Sequence, residues 1–128
     1  MTVLDASALL ALTLAEPGEE RVMAAILAGA RMTTANFAEV ATRYVRAGAS
    51  EAEVRALHDG LPVVLVPVDA DLALRAALMS GATRAAGLSL GDRLCLALAQ
   101  REEVPALTAD RAWAGVADHV GVRVELLR

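Results

Sequence analysis

Short apolar runs alternate with longer segments of helical periodicity along this chain, and that alternation restricts the folds it can adopt. The runs at residues 1–5, 31–34, 61–68, 104–110 and 122–127 predict strands. The run at 61–68 is the clearest because it is rich in β-branched residues. Strands that alternate with helices predict a mainly parallel central sheet covered on both faces. We therefore expect a three-layer α/β/α fold, formed by residues 1–128 as a single domain.

The segments between the strands predict helices. They cover residues 6–15, 18–29, 36–48, 50–60, 69–80 and 88–102, with a loop at 81–87 and a further helical turn through Trp113. Three of these helices begin with the spacing of a capping box, in which an acidic side chain bonds the amide of the cap residue: Asn36 with Glu39, Ser50 with Glu53, and Ser89 with Asp92.

The composition argues against a nucleic-acid binder that stacks bases on aromatic side chains. Hydrophobic residues make up 56% of the chain and aromatic residues 2%, so the chain lacks aromatic platforms on which bases could stack. The formal net charge of −4 gives no general attraction to a polyanion. A nucleic-acid substrate would therefore need a bound cation that reverses the charge locally. The positive residues are all arginine, which excludes any mechanism that depends on a lysine.

The cysteine and histidine content argues against soft metal sites. Cys95 is the only cysteine, so we expect it to lie in the core and to form no internal disulfide. His58 and His119 lack the spacing of zinc ligands. The first residues do not resemble a signal peptide, and no apolar run reaches the ~18 residues that a membrane span requires. We therefore expect a cytoplasmic protein that does not enter the membrane.

Four acidic residues are predicted at one edge of the sheet. Asp5 and Asp110 end two predicted strands, and Glu39 and Asp92 lie in the first turns of two helices. Open parallel sheets bind ligands outside the carboxyl ends of their strands, where the strand order reverses. Each acid taken alone is explained equally well as a helix cap or by the helix dipole. Their joint placement favours a functional site.

Clustered carboxylates repel one another, and burial adds a desolvation cost. A hard divalent cation relieves both effects, and a ligand set made only of oxygens suits Mg²⁺ or Mn²⁺. The sequence therefore predicts a metal site of this kind at the acidic edge.

Four segments carry a resemblance to a known family: VLDASALLAL, NFAEVATRYV, LSLGDRLCLALA and ALTADRAW. Their order, and the spacing of the acids within them, resemble a PIN-domain protein. More narrowly, the chain resembles a VapC-type toxin ribonuclease of a type II toxin–antitoxin system. The resemblance implies a PIN-like domain over residues 1–128 and an endoribonuclease that depends on Mg²⁺ or Mn²⁺.

The resemblance assigns roles to the four acids. Asp5, Glu39, Asp92 and Asp110 match the catalytic positions of the family. Asp5 and Asp92 are expected to bind the metal directly, and Asp110 directly or through water. Glu39 is expected to orient or deprotonate the attacking water, or to hold a second ion.

Three further residues stand near these acids in the sequence. Ser7 and Thr108 match the small hydroxyl residues that line the family's site. Arg93 departs from the family pattern, in which a small apolar residue commonly follows the third acid. It would contact a phosphate or lie on the helix surface in solvent, and the second interpretation is favoured.

The resemblance also implies partners: an RNA substrate, a cognate antitoxin and a second copy of the chain in a homodimer. Residues 6–29 offer independent support, because their two helices carry more apolar surface than one sheet face readily covers, although extra packing in the core would account for that surface equally well. Two alternatives remain open. The first is a non-catalytic PIN-like interaction module, although such modules usually lack one of the acids. The second is another Asp-rich phosphoryl-transfer fold, such as a receiver domain or a haloacid-dehalogenase-like phosphatase, but both call for a lysine.

Overall fold

The computed structural model describes residues 1–128 and contains one parallel sheet. Its strands are β1 (Thr2–Leu4), β2 (Ala30–Thr33), β3 (Val64–Val66), β4 (Ala106–Thr108) and β5 (Val124–Leu126), in the order β3-β2-β1-β4-β5. Each neighbouring pair is parallel. The strand order reverses at β1, which has β2 on one side and β4 on the other. The predicted parallel sheet is therefore confirmed, and its switch point lies between β1 and β4.

Helices cover both faces of this sheet, as the three-layer prediction requires. The first face carries α1 (Ala6–Thr13), α2 (Glu19–Leu27), α3 (Thr34–Arg46) and α4 (Glu51–Asp59). The second carries α5 (Ala70–Leu78), α6 (Ser80–Thr83), α7 (Leu90–Glu102), a 3-10 helix (Arg111–Gly115) and α8 (Ala117–Val120). No helix is both long and apolar enough to cross a membrane.

Side chains of the sheet alternate between two hydrophobic cores. In β1, Val3 packs into the core beneath α5 and α7, whereas Leu4 packs into the core beneath α1 and α3. Successive residues of a strand point to opposite faces, so the central strand contributes to both layers. Cys95 is fully buried within α7, in agreement with the sequence prediction. The two cores pack the helices onto both faces of the sheet, and this packing positions the helices relative to its carboxyl edge.

Two predicted segments differ from the structure. The strand predicted at 61–68 is limited to Val64–Val66, because Pro62 and Pro67 cannot donate to a ladder and β3 is an edge strand. Residues 81–87 were expected as a loop, but residues 81–83 belong to the single turn of α6 that begins at Ser80, and only 84–87 form a non-helical turn. The hydroxyl of Thr83 is buried there and donates to the carbonyl of Met79, which makes a helical turn stable despite Gly81.

Candidate functional site

Asp5 lies directly after the central strand, at the switch point of the sheet. Its side chain caps α1 by accepting a hydrogen bond of 2.8 Å from the amide of Ala8. Only 3% of the residue is exposed, and no arginine pairs with it. The cap therefore exists, as one interpretation of the sequence required, but it holds a carboxylate in an environment where a negative charge is costly.

Two hydroxyl groups surround this carboxylate. Ser7 Oγ donates to Asp5 Oδ1 at 2.7 Å, and Thr108 Oγ1 donates to Asp5 Oδ2 at 2.6 Å. The amide of Ala109 in turn donates to Ser7 Oγ at 2.9 Å. Because Thr108 ends β4, these bonds tie β4 to the start of α1 across the switch point. Ser7 and Thr108 thus lie in contact with Asp5, where the sequence placed them.

The environment of Asp5 shifts its proton affinity. Burial raises the pKa of Asp5 to about 6, even though the hydrogen bonds from Thr108, Ser7 and Ala8 act in the opposite direction. The negative charge of Asp92 adds to the increase. A carboxyl group that is both buried and near a second acid is the kind of group that gains from a cation.

Asp92 approaches the site from the beginning of α7. The Ser89–Asp92 capping box is present as predicted: the amide of Ser89 donates to Asp92 Oδ2 at 2.8 Å, and the amide of Asp92 donates to Ser89 Oγ at 3.2 Å. The box engages one carboxylate oxygen and leaves Oδ1 without a protein donor. Asp92 can therefore remain a helix cap while its second oxygen is available to a ligand.

Glu39 meets the start of α7 at Gly91. A Cβ atom at Gly91 would lie 1.9 Å from Glu39 Oε1, so only a glycine permits the observed position of this carboxylate. Asn36 joins the same helices, since its Nδ2 donates to the carbonyl of Gly91 at 3.1 Å. Desolvation and the charge of Asp92 raise the pKa of Glu39, while Asn36 lowers it. Asn36 and Gly91 are thus positioning residues: the sequence named Asn36 only as a helix cap and did not single out Gly91.

The start of α3 differs from the prediction. Asn36 does not form a capping box with Glu39, because α3 begins two residues earlier and Thr33 caps it by accepting from the amide of Asn36. The side chain of Asn36 is instead fully buried, and its Oδ1 has no hydrogen-bond partner. A buried polar atom without a hydrogen-bond partner is rare in proteins. Asn36 therefore has a role at the contact between α3 and α7 that helix capping does not explain.

Asp110 follows β4 and is linked to Asp5 through the hydroxyl of Thr108. Its carboxylate caps the 3-10 helix by accepting from the amide of Ala112 at 3.0 Å, and its own amide donates to Thr108 Oγ1 at 3.0 Å. The residue is exposed, and the acid that raises the pKa of both Asp5 and Glu39 is Asp92. The structure therefore places Asp92 near enough to Asp5 and to Glu39 to raise the pKa of both, and it leaves Asp110 exposed at the rim, connected through Thr108.

Arg93 adopts neither of the roles considered from the sequence. It is half-buried, and its Nη1 donates to the carbonyl of Ala76 at 3.0 Å. The side chain therefore fixes α7 against α5 and is directed at backbone rather than at the acidic edge. The favoured interpretation of a solvated helix residue is wrong.

The acidic edge fits a divalent cation by the chemistry of its donors. The donors are carboxylate and hydroxyl oxygens, and no salt bridge neutralises any of the four acids. No three acidic, histidine or cysteine side chains are grouped closely enough to hold a metal ion as the side chains lie here. The donors are therefore of the right kind, and several of them are engaged in local caps.

A parallel α/β sheet with acidic side chains at the carboxyl ends of its strands defines the class of open α/β proteins that bind ligands at a switch point. Within that class, a sequence model of the PIN domain matches residues 2–119. The chain belongs to the PIN domain family, which confirms the resemblance found in the sequence. No curated protein matches the chain in sequence.

Solved structures share the fold along nearly the whole chain. DNA-bound VapBC from Salmonella typhimurium superposes with a TM-score of 0.76 at 13% identity, covering 99% of this chain and 98% of that one. A toxin–antitoxin complex from Klebsiella pneumoniae gives 0.73 at 17% identity, covering 100% and 98%. The sarcin–ricin-loop-cleaving toxin VapC20 from Mycobacterium tuberculosis gives 0.66 at 17% identity, covering 83% and 87%. At these identities the similarity establishes the fold.

Proposed function

We propose that this protein is an endoribonuclease dependent on Mg²⁺ or Mn²⁺, and the toxin of a toxin–antitoxin pair. The observation that carries the proposal is that Asp92 lies near enough to Asp5 and to Glu39 to raise the pKa of both, while no salt bridge neutralises any of the three acids. Family membership supports nuclease chemistry, and the structural similarity to VapBC complexes supports the toxin role. The similar fold of a toxin named for cleaving the sarcin–ricin loop favours RNA as the substrate.

Asp5, Asp92 and Asp110 would hold the metal ion, which when bound supplies charge neutralisation and an acidified water for phosphodiester hydrolysis. Asp92 Oδ1 accepts no hydrogen bond from the protein, so it could bind the metal ion while Oδ2 keeps the capping box intact. Asp110 would have to turn away from the amide of Ala112 to contribute. Thr108 connects Asp5 with Asp110, because its hydroxyl donates to the carboxylate of Asp5 and accepts from the amide of Asp110.

Glu39 is placed to handle a proton. Its raised pKa comes first from desolvation and then from Asp92, which moves the carboxyl group towards the basicity that a general base needs. Gly91 and Asn36 fix its distance from α7. In this role Glu39 orients the attacking water and accepts its proton, while the hydroxyl groups of Ser7 and Thr108 keep Asp5 in place.

The proposed partners are an antitoxin and a second copy of the chain in a homodimer, acting in the cytoplasm on RNA. Exposed apolar side chains at the end of α1 and on α2 support a protein partner: Leu14, Met23 and the 82%-exposed Leu27. Exposed apolar side chains in residues 6–29 are consistent with the surplus apolar surface expected there.

One alternative retains a specific observation in its favour. Asp5 and Asp110 cap helices and Asp92 takes part in a capping box, which is also what a non-catalytic PIN-like interaction module would show. This alternative predicts that removal of an acid affects stability alone.

A cleavage assay separates the two. The purified protein is incubated with mixed RNAs and Mn²⁺, with and without chelator, next to the variants Asp92→Asn and Asp59→Asn. Asp59 provides the matched control because it is an exposed aspartate at the last position of α4, where it pairs with His58 and contacts none of the four acids. We expect cleavage that chelator abolishes, that Asp92→Asn loses and that Asp59→Asn keeps. Absence of cleavage under every metal condition, or cleavage insensitive to chelator, would refute the proposed enzyme.

A further inference from the structure

A row of polar side chains leads away from the acidic site along α3. Glu39, Thr42, Arg43 and Arg46 follow the spacing i, i+3, i+4 and i+7, which places them on one face of the helix. Together with Ala38 they line a shallow, open groove of about 510 Å³. From the helical rise, Arg43 lies about 6 Å and Arg46 about 10 Å along the axis from Glu39. One acid of the site thus forms the end of a groove that two guanidinium groups line.

These two arginines lack the partners that most others have. Of the twelve arginines, six form salt bridges with carboxylates. Three more donate to backbone carbonyls: Arg93, Arg111 and Arg128. The remaining three are Arg43, Arg46 and Arg84, and all are exposed. Two of the three cations without a protein partner therefore share the groove that starts at Glu39.

The helix dipole does not account for this placement. Arg43 and Arg46 lie in the last turn of α3, where a positive charge is favourable. That benefit is available at any position of the turn, whereas both residues lie on the face that carries Glu39. Their shared direction needs a second explanation.

We propose that the groove along α3 binds the phosphodiester backbone of the nucleic-acid substrate, with Arg43 and Arg46 contacting phosphates next to the one that is cleaved. The inference rests on the proposed nuclease function, since it extends the same site. Guanidinium groups bind phosphate oxygens through paired hydrogen bonds. No aromatic side chain lines the groove, so the contacts are with the backbone rather than with stacked bases. This local positive charge also explains how a chain of net charge −4 can hold a polyanion.

Binding is measured without cleavage, in the Asp92→Asn background and in the presence of chelator. The probe is a short fluorescein-labelled oligouridylate, followed by fluorescence anisotropy over a series of salt concentrations. The test variant is Arg43→Ala with Arg46→Ala. The control is Arg123→Ala, an exposed arginine beside β5, at the far edge of the sheet from β3 and α3. A lysine pair, Arg43→Lys with Arg46→Lys, keeps both charges.

We expect the alanine pair to weaken binding by about tenfold or more, and to lower the slope of log affinity against log salt by about 1.4, because two phosphate contacts to a single strand are lost. Arg123→Ala and the lysine pair should keep the parent slope. An oligothymidylate of equal length should lose affinity in the same proportion, since phosphates are common to both. If the alanine pair misfolds, Arg46→Ala alone should lower the slope by about 0.7.

Equal affinity and slope in the parent and the alanine pair would overturn the proposal, as would absence of binding by the parent. A loss confined to the RNA probe would assign the arginines to the ribose hydroxyl and overturn the backbone contact. Failure of the nuclease function is a separate result, because it is read from cleavage and not from this binding measurement.

Discussion

Replacing Gly91 with alanine tests whether the position of Glu39 is needed for activity. The new Cβ would lie 1.9 Å from Glu39 Oε1, and ordinary van der Waals contact begins at 3.4 Å, so the carboxylate must retreat by about 1.5 Å. Asn36 Nδ2 already lies at 3.4 Å and can stay in place. A displacement of about 1 Å in a catalytic group can cost about 100-fold in rate. We therefore expect cleavage to fall by about two orders of magnitude.

The stability of this variant should change in the opposite direction. Gly91 is the second residue of a regular helix, and alanine is favoured over glycine by up to ~1 kcal/mol in helices. The displaced atom is the end of a flexible side chain, so we expect a gain of about 0.5 kcal/mol, or about 2 °C in Tm. Thermal melts and cleavage rates of the same samples measure both effects.

The matched control is Gly81→Ala, in α6, where an added Cβ meets nothing within 4 Å. It should leave the cleavage rate unchanged. In a Glu39→Ala background the obstacle is absent, so Gly91→Ala should cause little further loss. Full activity of Gly91→Ala, or an equal loss in both backgrounds, would refute the assigned role of Glu39.

Two further predictions concern other residues around the site. The pKa of Asp5 is raised from 3.8 to about 6, so the folded state holds this proton more tightly than the unfolded state, and the contribution of Asp5 to stability falls by about 3 kcal/mol as the pH rises from about 4 to about 6. In metal-free urea titrations Asp5→Asn should therefore be more stable than wild type at pH 7, by up to ~3 kcal/mol, with the difference vanishing near pH 4; a constant difference across that range would contradict the burial argument. Arg93→Ala should lower the free energy of unfolding by about 1 kcal/mol, because its hydrogen bond to the carbonyl of Ala76 is lost, and it should leave RNA affinity unchanged. A weaker RNA affinity of this variant would instead support the interpretation of Arg93 as a phosphate contact.

Much of this fold and part of this site could be predicted because they depend on local patterns. The alternation of apolar runs with helical segments defines the strands. A carboxylate that directly follows a parallel strand necessarily lies at the carboxyl edge of the sheet, and this places Asp5 beside β4. The Ser89–Asp92 box is likewise a property of four consecutive residues, and it forms as predicted.

The features that the sequence did not reveal depend on contacts between distant segments. Gly91 matters because α3 brings Glu39 against α7, and nothing in LSLGDRLCLALA alone indicates that approach. Asn36 has the spacing of a cap residue, but Thr33 takes that role and Asn36 becomes a buried bridge. Arg93 is directed at Ala76 by the packing of α5 on α7. The short length of the edge strand β3 could be predicted in part, because Pro62 and Pro67 cannot donate hydrogen bonds to a strand ladder.

Calorimetric titration of Mn²⁺ into the purified protein tests the central claim most directly, because it asks whether the acidic edge gathers around a metal ion. The wild-type protein and Asp59→Asn should bind Mn²⁺ with saturable heat, and Asp92→Asn should lose that binding while its melting curve remains cooperative. Absence of Mn²⁺ binding by the wild-type protein, or undiminished binding by Asp92→Asn, would contradict the proposed site.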